Sequence, residues 1–150
     1  MSLENKNIIV TGASSGIGEA TAKKLAAAGA NVVITARRTE RLNELKDAIE
    51  NDGGKALAIT GDVTSKEDWK SIVEQTHKTF GKVDVLVNNA GLMPLSFVEN
   101  LKTDEWDKMV DVNIKGVLNG VASVVPDMKE TKAGHIINIS SVAGRKIMPA

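Results

Sequence analysis

A doubly wound α/β fold, with a parallel sheet and helices on both faces, is what this 150-residue sequence predicts. Three observations lead there. Short Val/Ile-rich runs alternate with longer segments of helical periodicity along the whole chain. The runs are almost continuously apolar, as strands buried on both faces are. A glycine-rich turn, Thr11-Gly12-Ala13-Ser14-Ser15-Gly16-Ile17-Gly18, joins the first run to the first helix. Strands alternating with helices imply βαβ units, a parallel sheet and right-handed crossovers.

The strands are expected at residues 7–11, 31–36, 56–60, 83–88 and 135–140. The first helix is expected over 16–28 and ends at Gly29, a residue suited to terminate it. The second runs over 39–51, with Leu42, Leu45 and Ile49 on one face and Gly53-Gly54 after it. The third opens at Ser65-Lys66-Glu67-Asp68, where Ser65 can cap and Asp68 can answer it. It carries Trp69, Ile72, Val73 and Thr76 inward and stops near Gly81. The fourth starts at Thr103 and passes Trp106, Met109, Val110 and Val112 to about Val125, ahead of Pro126. Asn113, Gly116 and Gly120 weaken it; a break there would leave backbone carbonyls and the Asn113 amide free to hold water, while an exposed or satisfied helix asparagine is the plainer reading. Residues 100–102 and 129–134 read as solvated loops. No linker or repeat divides residues 1–150, which read as a single domain.

Composition narrows the function. The 19 basic and 19 acidic residues cancel, so no global field gathers nucleic acid or anionic membrane. The absence of cysteine excludes a disulfide framework, thiolate metal sites and a cysteine nucleophile. With only His77 and His135, each isolated in sequence, no metal site is expected. No apolar run approaches the roughly 18 residues of a membrane span, and the polar start is not a signal peptide. A cytoplasmic protein is expected. The chain contains no tyrosine.

A doubly wound sheet binds its ligand at the carboxyl ends of its strands. The first strand leads into the turn with spacing G-x-x-x-G-x-G. Gly12, Gly16 and Gly18 let backbone approach a phosphate, and the first N–H groups of a helix sit at the positive end of its dipole. Ser14, Ser15 and Ile17 complete this candidate diphosphate site. The same residues also suit a tight turn with no ligand. After the second strand stand Arg37 and Arg38, with no acidic residue; Arg37 lies nineteen positions past Gly18. An acidic residue there would take a ribose 2′-hydroxyl, whereas a guanidinium grips a 2′-phosphate. NADP(H) is therefore favoured over NAD(H), the alternative being surface charge with Arg38 or Arg41 pairing Glu44. After the third strand, Asp62 could accept from an adenine amino group with Val63 against the ring, or lead a turn into Ser65. After the fourth, Asn88-Asn89-Ala90-Gly91 lets backbone pass close to a ligand while the amides tie strands, or forms a plain turn. After the fifth comes Ser140-Ser141-Val142-Ala143-Gly144, where a hydroxyl could reach a substrate oxygen; no Asp–His pair makes it a nucleophile.

Taken together, the glycine turn, Asp62-Val63, Asn88-Asn89-Ala90-Gly91, Asn113 and Ser140-Ser141 resemble the short-chain dehydrogenase/reductase family over essentially the whole chain. The resemblance implies a Rossmann-like dinucleotide-binding domain and an oxidoreductase that moves hydride between nicotinamide and a small-molecule carbonyl or alcohol. It implies that Asp62, Val63, Asn89, Ala90 and Gly91 line the cofactor site and that Arg37 matches the basic residue of NADP-preferring members. Ser15 stands where many such members carry a second basic residue. Asn113 and Ser141 match the catalytic Asn and Ser, with Asn113 ordering a water and Ser141 holding the carbonyl oxygen. The family's Tyr-x-x-x-Lys would lie beyond Ala150, so the chain is expected to be the N-terminal part of a longer member. A homotetramer or homodimer is implied, with the fourth helix at one interface. Residues 92–100 are expected near the substrate entrance. A non-catalytic NAD(P)-binding regulatory protein is the alternative. A GTP-binding or flavodoxin-like domain fits less well, as the G-x-x-x-x-G-K-[ST] loop is missing. Purified residues 1–150 are expected to show no turnover; NADPH-dependent carbonyl reduction by this polypeptide, followed at the nicotinamide absorbance, would contradict that.

Overall fold

In the computed structural model, which describes residues 2–142, five parallel strands lie in the order β3-β2-β1-β4-β5. They are β1 (Asn7–Thr11), β2 (Asn31–Ala36), β3 (Lys55–Thr60), β4 (Val85–Asn88) and β5 (His135–Asn138). The helices are α1 (Gly16–Ala27), α2 (Thr39–Asn51), α3 (Lys66–Thr79), α4 (Thr103–Val110) and α5 (Gly116–Thr131). β1 pairs with β2 on one side and β4 on the other, with Ile9 opposite Val33 and Leu86. Strand order reverses between β1 and β4. The loops leaving these two strands therefore part in opposite directions and open a crevice at their carboxyl ends.

Alternation along the strands builds two cores. Ile8, Val10, Val32 and Ile34 pack against Ala22 and Ala26 of α1 and Leu42, Leu45 and Ile49 of α2. Ile9, Val33 and Leu86 pack on the other face against Trp69 and Ile72 of α3 and Val124 of α5. Val73, expected inward, is only half-buried. The amino ends of the strands are closed by a polar network. Asn7 Nδ2 donates to the carbonyls of Phe80 and Lys82, and Asn31 Nδ2 donates to Asn7 Oδ1. Asp84 accepts from Lys6 Nζ and from the Asn7 backbone N–H.

The expected fourth helix is two helices joined by a π-turn over Asp111–Lys115, in which the Gly116 N–H reaches back to the Asp111 carbonyl. α5 then continues through Pro126 to Thr131, overturning both the expected stop before the proline and the loop from 129. Pro126 removes one helix hydrogen bond, but it lies on an exposed face, while the next residue anchors the helix. Asp127 is buried and accepts from Val83 N–H at 2.8 Å and pairs with His77 Nε2 at 2.7 Å. With Val83 N–H held there, β4 begins at Val85 rather than 83, and β5 ends at Asn138 rather than 140.

Small residues let α5 sit close to the sheet. A Cβ on Gly120 would stand 2.8 Å from both Asn88 Oδ1 and the Trp69 ring. Gly120→Ala is expected to destabilise the chain by about 1–3 kcal/mol through overpacking; an unchanged urea midpoint would contradict this.

Candidate functional site

The site begins at the last residue of β1. The Thr11 hydroxyl is buried and uses its full hydrogen-bonding capacity. It accepts from Asn89 N–H and Ala90 N–H, each at 3.0 Å, and donates to the Val87 carbonyl at 3.4 Å. Asn89 Nδ2 donates in return to the carbonyls of Thr11 and Gly12. Asn88 Nδ2 donates to Asn138 Oδ1, tying β4 to β5. Both amides thus hold strands together, as one sequence reading proposed.

This stitching explains the glycine spacing. A Cβ on Gly12 would stand 2.7 Å from Ala90 Cα, and one on Gly18 would stand 2.5 Å from Asn89 Nδ2. These two glycines let the turn press against the end of β4. Gly16 shares a positive φ (+60°) with Gly12 (+64°), but a Cβ on Gly16 would meet nothing. Its role is backbone conformation beside open space.

Two helices begin at serine, and they behave differently. At α3, Ser65 Oγ accepts from Asp68 N–H at 3.0 Å, a regular cap. Asp68 does not answer the cap, because its carboxylate accepts from Asp62 N–H at 2.7 Å. At α1, Ser15 makes no side-chain cap. Its hydroxyl instead accepts from Arg38 Nη2 at 2.8 Å, and Ser14 Oγ accepts from Arg38 Nη2 and Nε at 2.9 and 3.2 Å. The first N–H groups of α1 therefore lack a side-chain acceptor at the positive end of its dipole.

These elements wall a crevice of about 410 Å³. One wall is Gly12, Ser14, Ser15 and Ile17; the next is Ala36, Arg37 and Arg38; the third is Gly61, Asp62 and Val63; the last is Asn89, Ala90, Gly91, Leu92 and Val112. Gly16 and Gly18 shape the turn without lining it. Arg41 takes Glu44 at 3.2 Å, leaving Arg38 to the serines. Asp62 Oδ1 accepts from Thr64 N–H and Oγ1 at 2.9 and 2.8 Å, so the carboxylate does hold the turn into Ser65.

Asn113 sits in the π-turn beside the crevice but does not line it. Its amide is engaged by the chain: Oδ1 accepts from Leu92 N–H at 2.8 Å and Nδ2 donates to the Leu92 carbonyl at 2.7 Å, two of its four hydrogen-bonding positions. This two-bond clamp fixes the loop that follows Gly91. In the same turn, hydrogen bonding and charge from Asp111 raise the Lys115 pKa above its ordinary value. Ser141 lies three residues past β5, exposed, at the carboxyl end of the sheet. Ala143 and Gly144 of the expected motif lie outside the described residues. Sequence reasoning missed Thr11 as the organising residue; the available signal was a lone hydroxyl closing an otherwise apolar buried strand. Among the described residues no cluster of three metal-ligating side chains occurs, and no helix is long and apolar enough to cross a membrane.

The family pattern for short chain dehydrogenases matches residues 6–150. The chain belongs to the short-chain dehydrogenase family. An uncharacterised oxidoreductase of Listeria innocua is 52% identical over 149 residues, covering 99% of this chain and 60% of that protein. A glycine betaine reductase of Emericella nidulans is 44% identical over 98% of this chain but only 12% of its own length. A metagenomic short-chain oxidoreductase solved in complex with NADP superposes with a TM-score of 0.91 at 38% identity, covering 99% of this chain and 67% of that one. The Rossmann-like fold is thus shared with solved members, and the chain spans about 60% of the Listeria relative.

The contrast between the two serines is measurable. Ser65→Ala is expected to cost about 1 kcal/mol for a lost cap, while Ser15→Ala stays within about 0.5 kcal/mol without ligand. Equal shifts in the urea midpoints of the two variants would contradict the contrast.

Proposed function

We propose that the protein is an NADP(H)-dependent oxidoreductase interconverting a small-molecule carbonyl and an alcohol. The observation that carries the reading is the uncapped N-terminus of α1, which opens onto a crevice bordered by two arginines. Unpartnered helix N–H groups with open space beside Gly16 suit a diphosphate. The hydroxyls of Ser14 and Ser15 accept from Arg38, which leaves their protons to donate to phosphate oxygens. Arg38 and Arg37 would hold a 2′-phosphate, Arg38 with the fork geometry that suits it. Val63 would face the adenine ring, and the Asp62 carboxylate would accept from its amino group while Thr64 steadies it. Asn89, Ala90 and Gly91 would border the middle of the cofactor.

When bound, the nicotinamide supplies or accepts the hydride. Ser141 would hydrogen-bond the carbonyl oxygen where negative charge develops. Asn113 would act through structure, clamping Leu92, while carbonyls displaced by the π-turn offer acceptors for an ordered water. The proton for the oxygen would come from the Tyr-x-x-x-Lys segment of the whole family member. Self-association is proposed through the exposed apolar face of α5, where Leu118, Val121, Ala122 and Val125 line a groove. This geometry would give a homodimer, or a homotetramer with a second interface.

NADPH is expected to bind at least about tenfold more tightly than NADH, the value of one charge-assisted hydrogen bond. Arg38→Ala and Arg37→Asp should each shrink that ratio. Tighter NADH binding by the unmodified protein, measured by calorimetry, would overturn the cofactor assignment.

A further inference from the structure

We propose that Asn119 of α5 is a positioning residue that sets the adenine selectivity of the crevice. The proposal rests on the reading of Asp62 as the adenine acceptor. Asn119 is distant in sequence from the loop it holds, and no part of it lines the crevice. Its Nδ2 donates to the Val63 carbonyl at 3.1 Å and to the Thr64 carbonyl at 3.3 Å. The indole Nε1 of the buried Trp69 donates to the same Val63 carbonyl at 3.0 Å.

The consequence follows from peptide geometry. The Val63 carbonyl and the Thr64 N–H belong to one planar trans unit and point in opposite directions. Two donors from the helix side fix where the carbonyl points, and so fix the N–H on the other side. That N–H donates to Asp62 Oδ1 at 2.9 Å, beside the Thr64 hydroxyl at 2.8 Å. Gly116 makes the approach possible, because a Cβ there would stand 2.7 Å from Val63 Cγ2. Asn119 therefore acts on the Asp62 carboxylate through one peptide plane, without touching a ligand. Removing its donor leaves the Val63 carbonyl to Trp69 Nε1 alone, which loosens the plane and lets the carboxylate shift from the orientation that recognises an amino group.

The test compares adenosine 2′,5′-bisphosphate with inosine 2′,5′-bisphosphate, which carries an oxo group in place of the amino group. Calorimetry on the unmodified protein should show about a tenfold preference for adenosine, one hydrogen bond to a charged acceptor. Asn119→Leu should reduce the preference to about twofold or less, with inosine affinity nearly unchanged. Trp69→Phe removes the second donor from a different helix and should move the ratio the same way, so the idea stays testable if one variant does not fold. Preference retained in the folded variants, or equal loss of both ligands, would overturn the positioning role. No preference in the unmodified protein would instead overturn the Asp62 reading and the inference with it.

Discussion

The site depends on one buried hydroxyl. Thr11 stands at the switch point of the sheet, where the chain leaves β1 on one side and β4 on the other. Its three hydrogen bonds place the backbone of Asn89 and Ala90 against the glycine turn. The closeness of that contact makes Gly12 and Gly18 necessary, since a Cβ at either would collide with the β4 end. A valine would fill the same volume as Thr11 but leave two half-buried N–H groups without their acceptor, a cost of about 1–3 kcal/mol in all. Crevice and core packing are therefore one structure: the residues that close the sheet also define the opening.

The two ends of the sheet show opposite treatments of polar groups. At the amino end, Asn7 satisfies two backbone carbonyls and Asp84 takes the Asn7 N–H and Lys6, while Asn31 gives its amide N–H to Asn7 and keeps a buried Oδ1 without a partner among the described residues. At the carboxyl end, the helix that begins the site keeps donors unspent. Ser65 and Ser15 occupy the same position on their helices, yet one caps and the other is turned to an arginine. Leaving helix N–H groups without a side-chain acceptor forgoes roughly 1 kcal/mol of capping, which an anion on the same groups would return. Arg38 takes both the Ser14 and the Ser15 hydroxyl oxygens.

Strand positions were readable because parallel strands are apolar on both faces, and α2 was readable to its limits because Leu42, Leu45 and Ile49 repeat at helical spacing. The glycine turn was readable because its spacing answers a local geometry. What escaped depends on residues distant in sequence. α5 survives Pro126 because Asp127 reaches Val83, in the segment that leads into β4. Asn113 marked a break in the helix, but no local pattern shows that its amide would be taken by Leu92. Asp68 sits where a capping residue should, yet the Asp62 N–H takes its carboxylate first. Ser141 was placed by resemblance, and the structure sets it three residues after β5.

On the proposed function, the carboxyl-end crevice would receive the adenine half of a phosphorylated dinucleotide, with its diphosphate on α1. Backbone amide chemical shifts in a titration of the protein with NADPH test this most directly. The largest changes are expected at the Ser14, Ser15, Ile17 and Gly18 amides, with a second group at Arg38, Asp62 and Val63. Changes confined to the outer face of α5 or to the amino end around Asn7 and Asp84, with the α1 amides unmoved, would contradict it.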